Sequence, residues 1–450
     1  MSCKPTIAIH DGPNDWSRLR LGDLGDLKRG ISYSAATLSD FGGVPYVNLK
    51  SFLKGGGFNL GGTKKYIGHY QEDDLITTRH ILIANTDLTP TGDVIGAPAL
   101  LPDDFDGQEV VSSHHVSRLE VPDSIDCQFL FYLMTLPSVR SVMRSISAGT
   151  TVLNLSKSYF GRVTLPIPPL PEQRRITDIL DTLDEAIRKT EQVIDKFQQM
   201  KQGLLHDLLT RGIDDNGEMR DPERHPEQFK DSPLGRIPKG WEVERLGHVV
   251  RRSGGLIQTG PFGSQLHAHE YVEDGVPVVM PQDIINGRVE VRLIAKINEQ
   301  KARNLKRHQL RVNDAVFARR GDLSRCLTVN RREEGWLCGT GCLLVRVPPD
   351  TLDAVWLTSV YRHDMGQRQV LRRAVGTTMV NLNSSILAGL LVPFPPIQEQ
   401  RAFAERLTVL EGRLEGEAHQ FDKRRTLKLG LLDDLLTGRV RVKVPEEASA

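Results

Sequence analysis

An internal repeat is the feature that most constrains the fold of this chain. Residues 149–210 align without a gap to residues 376–437, and 24 of the 62 positions are identical. Self-similarity over this length indicates a duplicated structural unit. Trp16 corresponds in the same way to Trp241, and the tripeptide Gly-Val-Pro at 43–45 recurs at 275–277. The stretches between these anchors diverge. The sequence therefore predicts one frame built twice around two different inserts.

Each repeated block has the pattern of a long amphipathic helix. Its apolar residues are spaced by three, four or seven positions, as in a heptad series. Pro171 and Glu172 suit a first helical turn, and Gly212 and Gly438 suit the position that ends a helix. Such a helix cannot bury its stripe alone, so we expect the two helices to pair as a coiled coil. Packing of each helix on its own globular domain is the alternative. The stripe of the first copy consists of Ile176, Leu180, Leu183, Ile187, Ile194, Phe197, Leu204 and Leu208.

Polar residues interrupt both stripes. Thr190 and Lys201 stand in the first, and Glu417, Arg424 and Lys428 stand in the second. Because the second copy has more charges at these positions, we expect the helix pair to depart from strict symmetry.

The segments between the helices are rich in short β-type runs bounded by Gly, Pro and Asp. The fold class predicted from these patterns is α+β, with one domain of mixed α/β character before each long helix. The predicted boundaries are a tail 1–15, a first domain 16–165, a helix 166–212, a proline-rich linker 213–240, a second domain 241–392, a helix 393–438 and a tail 439–450.

Composition excludes several classes of protein. The chain has 450 residues, 39% of them hydrophobic, and 58 Lys and Arg residues balance 57 Asp and Glu residues. These values exclude intrinsic disorder and a disulfide scaffold. No apolar run approaches the ~18 residues of a membrane span, and the start of the chain has no secretory pattern. The five cysteines are an odd number at irregular spacing. We expect a cytoplasmic protein without a membrane partner.

Motifs for catalysis are missing from the sequence. Thr63 stands where a phosphate loop needs Lys, and no GxSxG, HExxH or GxGxxG motif is present. Cys326, Cys338 and Cys342 lack zinc-ligand spacing, so we expect thiols buried in a core. The adjacent His114 and His115 should face opposite ways on a strand. We therefore expect a chain with no catalytic residues, no metal and no cofactor of its own.

Two motifs resemble those of a known family. LPIPPLPEQRRI at 165–176 and VPFPPIQEQRAF at 392–403 are similar to sequences of the specificity subunit of type I restriction–modification systems. FKDSPLGRIPKGWE at 229–242, GPFGSQL at 260–266, the paired GTT…NL blocks and the paired LLxDLLT helix ends add to the resemblance. The resemblance covers nearly the whole chain, from Trp16 to Thr437. Gln398 departs from the pattern, because Pro171 holds the same place in the first copy.

The resemblance implies an architecture and a function. Each variable segment would be a target-recognition domain that reads one half of a bipartite, asymmetric site on double-stranded DNA. The helices would form an antiparallel coiled coil that spaces the two domains and docks two modification subunits. Those partners would carry S-adenosylmethionine and methylate adenine, and separate restriction and translocase subunits would move and cut DNA. The repeated docking motif would comprise Pro168, Pro169, Glu172, Gln173, Arg174, Pro395, Pro396, Glu399, Gln400 and Arg401.

Candidate DNA contacts are polar side chains of the variable segments. Arg and Asn can bind base edges in bidentate fashion, whereas Lys mostly binds phosphate. Residues 286–375 carry eighteen Lys and Arg against nine Asp and Glu, which favours a surface that faces phosphate. Phe105, Phe129 and Trp356 are expected in the core. The candidates are Lys50, Lys64, Lys65, Arg79, Asn85 and Thr86 in the first domain, and Gln258, Thr259, Ser264, Gln265, Arg319, Arg320 and Arg325 in the second.

Two other functions stay open from the sequence alone. The chain could be a stand-alone DNA-binding regulator without enzymatic partners, or an enzyme whose nuclease or methyltransferase motif is not recognisable. Copurification with a methyltransferase subunit would separate the first from a specificity subunit. Activity of the isolated chain with Mg²⁺ or S-adenosylmethionine would support the second.

Overall fold

The structure is a computed structural model that describes residues 7–8, 12–89, 91–374 and 381–444. It consists of two compact units. Unit 1 comprises Met1–Glu191 and His419–Ala450, and unit 2 comprises Gln192–Ala418. The sequence-based boundaries place each long helix whole behind its own domain, whereas the structure divides both long helices between the units. The repeated Gly376, Thr377 and Thr378 lie outside the described residues.

Unit 1 opens with eleven short strands, followed by helices and three further strands. Its elements are β1 (Ile7–Ala8), β2 (Ser17–Arg20), β3 (Lys28–Arg29), β4 (Leu38–Ser39), β5 (Val44–Val47), β6 (Lys64–Tyr66), β7 (His80–Ala84), β8 (Thr86–Asp87), β9 (Pro98–Ala99), β10 (Val111–Ser112), β11 (Val116–Glu120), α1 (Cys127–Thr135), α2 (Pro137–Ser145), β12 (Ser147–Ala148), β13 (Leu153–Leu155), α3 (Lys157–Phe160), β14 (Val163–Ile167) and the first part of the long helix α4 (Leu170–Thr210).

Unit 2 follows the last turns of α4 and has two additional helices, α5 and α6, among its strands. Its elements are β15 (Phe229–Ser232), β16 (Gly235–Pro238), β17 (Glu242–Arg245), α5 (Leu246–Arg252), β18 (Leu256–Thr259), β19 (Tyr271–Val272), β20 (Val276–Val279), β21 (Ile284–Ile285), β22 (Arg288–Val289), β23 (Lys296–Ile297), α6 (Glu299–Asn304), β24 (Ala315–Ala318), β25 (Cys326–Thr328), β26 (Leu337–Cys338), β27 (Cys342–Arg346), α7 (Ala354–Arg362), α8 (Asp364–Ala374), α9 (Ser384–Ala388), β28 (Leu391–Phe394) and the start of the long helix α10 (Ile397–Leu436). The end of α10 belongs to unit 1.

The two units share one sheet plan. The central sheet has the order β3-β11-β7-β9 in unit 1 and β18-β27-β24-β25 in unit 2. The register is also shared, since Ala84 pairs with Val116 and Ala318 pairs with Cys342. A second sheet has the order β10-β5-β6-β4 in unit 1, and β26-β20-β23-β19 repeats it in unit 2. The α+β fold and the duplicated frame predicted from the sequence are therefore confirmed.

Each unit has its own hydrophobic core. Phe129 lies in the core of unit 1 and Trp356 in that of unit 2, as predicted. Phe105 is only half-buried and packs edge-on against Phe58. Cys326 is fully buried in unit 2, as predicted, and burial raises the pKa of its thiol to about 12. Cys338 and Cys342 are equally buried.

The long helices pair in antiparallel fashion inside each unit. In unit 1, Ile176 and Leu180 at the start of α4 share a core with Leu435 and Leu436 at the end of α10. In unit 2, Leu208 and Leu209 at the end of α4 share a core with Phe403 and Leu407 at the start of α10. Both helices end where predicted, because Gly212 and Gly438 have φ angles of 66° and 73°, a backbone conformation that favours glycine.

The polar seam residues have partners on the facing helix. Lys428 forms an ion pair with Asp184 in unit 1, and Lys201 forms one with Glu411 in unit 2. These pairs are equivalent by the repeat, since Lys201 and Lys428 are 227 positions apart and so are Asp184 and Glu411. Arg424 donates to the hydroxyl of Thr190 and, at 3.2 Å, to a carbonyl of α4. Four of the five interruptions of the heptad pattern, namely Thr190, Lys201, Arg424 and Lys428, thus make polar contacts across the helix pair.

The predicted tails and linker contain ordered structure. Residues 7–8 of the N-terminal tail pair in parallel with β14. The linker contains the β15–β16 hairpin and the side chain of Arg220, which binds Glu399. Arg441 of the C-terminal tail forms ion pairs with Asp15 and Glu172. Among the described residues, no helix is long and apolar enough to cross a membrane.

Candidate nucleic-acid interface

The central sheet of unit 2 brings two loops to one end. Strands β18 and β24 flank β27 and are both antiparallel to it, so they end at the same edge. The loop 260–265 follows β18 and the loop 319–325 follows β24. Gly260 donates to Cys342 at 3.0 Å, and Arg319 donates through its backbone to Gly341 at 2.8 Å. Five of the seven DNA-contact candidates of unit 2 lie in these loops, and two lie on β18.

The three arginines of the 319–325 loop differ in exposure and in the hydrogen bonds that their guanidinium groups make. The Arg319 guanidinium is half-buried and donates through Nε to the carbonyl of Leu382 at 3.2 Å. Arg325 is half-buried, and its guanidinium donates to the carbonyls of Pro281 and Gln282 at 3.2 and 3.3 Å. Arg320 is exposed. Arg320 is therefore the arginine of this loop that is best placed to contact a ligand.

The four uncharged candidates of unit 2 fall into two groups, those whose side chains are hydrogen-bonded and those whose side chains are exposed or half-exposed. Gln258 uses its amide to donate to the carbonyl of Arg307, and Gln265 uses its side-chain oxygen to accept from the backbone of Phe262 at 3.1 Å. The polar groups of both side chains are therefore already used in hydrogen bonds within unit 2. Ser264 is exposed, and Thr259 is half-exposed on the last residue of β18.

The same sheet end exists in unit 1. Asn85 follows β7 as Arg319 follows β24, and its backbone donates to His115 at 2.7 Å. Asn85 is 2% exposed and its amide donates to the hydroxyl of Ser117 at 2.8 Å. Burial thus argues against Asn85 as a base contact. Thr86, which corresponds to Arg320, is also buried, and its hydroxyl lies 2.9 Å from Nδ1 of His115.

Two neighbouring clefts surround this end of unit 1. The lysine cleft, of about 570 Å³, has Lys50, Lys64 and Lys65 in its wall together with Phe105. The tyrosine cleft, of about 440 Å³, is lined by Tyr33, Leu38, Tyr46, Asn48, Leu49, Lys50, Lys64, Thr86, Leu88, Ser113, His115 and Val152. Lys50 and Lys64 belong to both clefts. The structure therefore brings four predicted residues together, namely Lys50, Lys64, Lys65 and Thr86. Arg79 is not part of either lining, and its guanidinium forms an ion pair with Asp123.

The tyrosine cleft contains residues that the sequence analysis missed. Tyr33 lies three residues after Gly30 in the chain. Gly30 and Gly260 occupy corresponding places, and a side chain at either glycine would collide with a backbone oxygen. The sequence obscured this correspondence, since Gly30 lies 8 residues after Gly22 whereas Gly260 lies 13 residues after Gly247. With short strands between them, these anchors cannot be aligned by pattern.

The prediction for the two adjacent histidines is wrong. His114 and His115 lie in a turn rather than on a strand, both are half-buried, and their ring centroids are 3.9 Å apart. Burial lowers the pKa of His115, and the neighbouring His114 and Arg29 lower it further. These effects favour the neutral imidazole, which has one donor and one acceptor. Among the described residues, no three His, Cys, Asp or Glu side chains form a group that could hold a metal ion.

The repeated Pro-Pro-x-x-Glu-Gln-Arg motif has a structural role in each unit. Gln173 accepts from the backbone of Asp126 at 2.8 Å and donates to the carbonyl of Pro168 at 2.9 Å. Gln400 accepts from the backbone of Asp353 at 2.9 Å and donates to Pro395 at 2.9 Å. Asp126 caps α1 and Asp353 caps α7 through their own side chains. The glutamines thus join each long helix to the helix that follows the central sheet.

The glutamates of the motif are held by arginines that follow the facing helix. Glu172 accepts from the guanidinium of Arg441 at 2.7 and 2.8 Å. Glu399 accepts from Arg220 at 2.6 Å and from the indole of Trp241 at 3.0 Å. Burial of these glutamates and of the glutamines argues against them as direct docking contacts.

The arginines and prolines of the motif differ in exposure. Arg174 and Arg401 are exposed, and Arg401 pairs with Asp350. Pro168 is buried and Pro169 exposed in the first copy, and Pro395 and Pro396 repeat that pattern. Exposed motif residues therefore remain available to a partner.

Comparisons with known proteins agree with this geometry. The family model described as type I restriction modification DNA specificity domain matches residues 13–198. The MjaVIII type I restriction enzyme specificity subunit of Methanocaldococcus jannaschii is 24% identical over 96% of this chain and 94% of its own length. The EcoBI type I specificity subunit of Escherichia coli is 22% identical over 90% of this chain and 80% of its own length. The chain is thus similar to type I specificity subunits along nearly its whole length.

Solved structures show the same fold at low identity. The type I restriction–modification S subunit from M. genitalium superposes with a TM-score of 0.59 at 16% identity, over 95% of this chain and 98% of that one. A chain from a study of assembly and conformational transition in a type I system gives 0.51 at 20% identity, over 96% of this chain and 100% of that one. The resemblance stated from the sequence motifs is thus supported, since these relatives and neighbours are specificity subunits or chains of type I systems. None of these comparisons favours a stand-alone regulator.

Proposed function

We propose that this chain reads a bipartite, asymmetric DNA site for a type I restriction–modification complex, with unit 1 on one half-site and unit 2 on the other. One observation carries the proposal. The same sheet end presents loops in both units, but the residues at equivalent positions differ, as Thr86 and Arg320 do. One frame thus offers two different surfaces, which suits two unlike half-sites.

The charge of each surface fits a DNA ligand. Lys50, Lys64 and Lys65 lie together in unit 1, and Arg320 is exposed in unit 2. Lysines of this kind neutralise phosphates and position a protein on the duplex, whereas base edges supply specificity. The chain then contributes recognition, and the adenine-methyltransferase activity with its S-adenosylmethionine belongs to partner modification subunits. Restriction and translocase subunits would join the same assembly.

Two equivalent copies of the motif favour two identical modification subunits. Arg174 and Arg401 are exposed at equivalent places on α4 and α10. Each copy would offer the same contact to one partner, so the stoichiometry would be two modification subunits to one chain.

Methylome sequencing tests this function. A methylation-free host should receive this chain together with an adenine-methyltransferase subunit encoded beside it. The expected result is one bipartite, non-palindromic motif with methylated adenine, and the same host without this chain is the control. Methylation that is independent of this chain would contradict the proposal, as would a chain that copurifies with no methyltransferase subunit.

A further inference from the structure

Two tyrosine rings, those of Tyr33 and Tyr46, line the tyrosine cleft of unit 1, and Tyr66 packs against Tyr46 from outside the lining. Tyr46 stacks on Tyr66 with ring centroids 5.4 Å apart and an interplanar angle of 17°. Tyr33 meets Tyr46 edge-on at 5.6 Å and is 43% exposed. The cleft volume of about 440 Å³ lies in the usual range of small-molecule sites, ~300–1,000 Å³. A planar, aromatic group is the ligand that such a wall accepts.

A buried polar group in this wall is incompletely hydrogen-bonded. Tyr46 is 1% exposed, and its hydroxyl has no hydrogen bond of full geometry among the described residues, although the Ser113 side chain is near enough to interact with it. A buried hydroxyl that is incompletely hydrogen-bonded is costly, so its presence in a cleft wall points to a ligand that supplies a further partner. Thr86 and His115, whose hydroxyl and Nδ1 lie 2.9 Å apart, also line the cleft and make its wall more polar. The ligand therefore carries polar atoms at its edge.

The rim of the cleft is cationic. Lys50 and Lys64 are exposed, and they separate the tyrosine cleft from the lysine cleft that also contains Lys65. Leu88, 70% exposed, adds an apolar edge. A flat aromatic group with polar edges that is attached to a negative charge has the chemistry of a nucleotide.

The equivalent positions of unit 2 carry different residues. By strand register Val278 replaces Tyr46, and Gly341 replaces His115. A side chain at Gly341 would lie 2.8 Å from Pro281, and one at Gly339 would lie 2.5 Å from the sulfur of Met280. The tyrosine and histidine of this wall are thus residues of unit 1 and not of the shared frame.

We propose that the tyrosine cleft takes up one nucleobase that is turned out of the DNA stack, with its flanking phosphates on Lys50 and Lys64. The inference rests on the proposed DNA-reading function. A stacked base offers only its edge in a groove, whereas a base turned out offers a ring face to Tyr33 and a polar edge to Tyr46. Aromatic stacking then offsets the cost of unstacking. Unit 1 would read one position of its half-site by extraction, and unit 2 would read its half-site in the groove.

The experiment uses the full chain with its modification subunits and without S-adenosylmethionine. Duplexes carry a base analogue that brightens when unstacked, placed in turn at each position of the unit 1 half-site. That half-site is the one that stays unchanged when residues 241–390 are exchanged. We expect one bright position besides any adenine that the modification subunits methylate. Tyr33→Ala should abolish this brightness and weaken binding roughly 10-fold, while brightness at a methylated adenine remains. Tyr159→Ala is the matched control, because Tyr159 is 48% exposed in unit 1 and lies outside the cleft lining.

A second variant tests the hydroxyl. Tyr46→Phe removes only an incompletely hydrogen-bonded oxygen, so the unfolding temperature should change little, yet the protein should bind the half-site several-fold more weakly. A duplex that lacks the base at the bright position should bind Tyr46→Phe and wild type equally well. Site-specific binding with no additional bright position would overturn the inference and leave the proposed function intact. Brightness that survives Tyr33→Ala would overturn it as well. A wild-type complex with no preference for its methylated site would contradict the proposed function itself.

Discussion

Replacing the buried glutamines of the repeated motif should destabilise the units without any partner present. Gln173 is 1% exposed and Gln400 is 0% exposed. A Gln173→Leu variant keeps the approximate volume but leaves the backbone N–H of Asp126 and the carbonyl of Pro168 unpaired. Each buried group left unpaired costs about 1–3 kcal/mol, so the variant should lose about 2–5 kcal/mol. Gln400→Leu should lose a similar amount, because its two hydrogen bonds match those of Gln173 within 0.1 Å.

The assay is thermal unfolding of the isolated chain followed by circular dichroism. For a unit of about 220 residues, 1 kcal/mol shifts Tm by about 2–4 °C. Each variant should therefore lower the Tm of its unit by about 4–20 °C, and the double variant should lower both transitions, since the two glutamines lie in different units and share no partner. Arg174→Ala is the control, because this side chain is exposed and its loss should change stability by less than about 0.5 kcal/mol.

Opposite results would refute this reasoning. If both glutamine variants kept the wild-type Tm but no longer bound modification subunits, the glutamines would be docking contacts rather than residues that stabilise the fold of each unit. The expected pattern is the reverse, with stability lost in the glutamine variants and partner affinity lost in Arg174→Ala and Arg401→Ala.

Three further predictions follow from the units described above. Exchanging residues 241–390 for the segment of another type I specificity subunit should change one half-site only, and methylome sequencing that shows both halves altered would contradict independent reading. Arg320→Gln should lower the slope of log K against log salt by about 0.9, whereas Arg319→Gln should change it less, because that guanidinium is held by a carbonyl. Lys201→Glu should destabilise unit 2 by about 1 kcal/mol and so lower its Tm, and adding Glu411→Lys should restore the Tm. A double variant whose Tm does not recover would show that Lys201 and Glu411 do not form this contact.

The parts of the fold that the sequence predicts are those with a long, local pattern. The helices α4 and α10 carry a heptad series over about 40 residues and end just before glycines. The sequence therefore predicts both that these segments are helical and where each helix ends. The strands are two to five residues long, and their pairing joins segments far apart in the chain. A pattern of that length does not fix register. The correspondence of Thr86 with Arg320 became visible only through paired strands.

Burial of polar side chains was the second thing the sequence could not supply. Asn85 and Gln173 belong to residue types that are mostly exposed, yet both are buried because their hydrogen-bond partners come from segments 32 and 47 residues away. Other polar candidates, such as Ser264 and Lys50, are exposed. Composition therefore identified a set of candidates, and only the contacts divided them into side chains that hold a loop and side chains that face a ligand.

The division between retained and varied residues follows the hydrogen bonds. Gln173 and Gln400 are identical because each must satisfy the same backbone N–H and the same carbonyl, and a change of either leaves buried groups unpaired. At the sheet end, the retained feature is a backbone hydrogen bond across the central sheet. Asn85 and Arg319 both donate this bond through their backbone N–H, while their side chains differ. A duplicated frame built this way can change what it reads without changing how it folds. The tyrosine cleft shows how far that freedom extends, because unit 1 has Tyr46 and His115 where unit 2 has Val278 and Gly341.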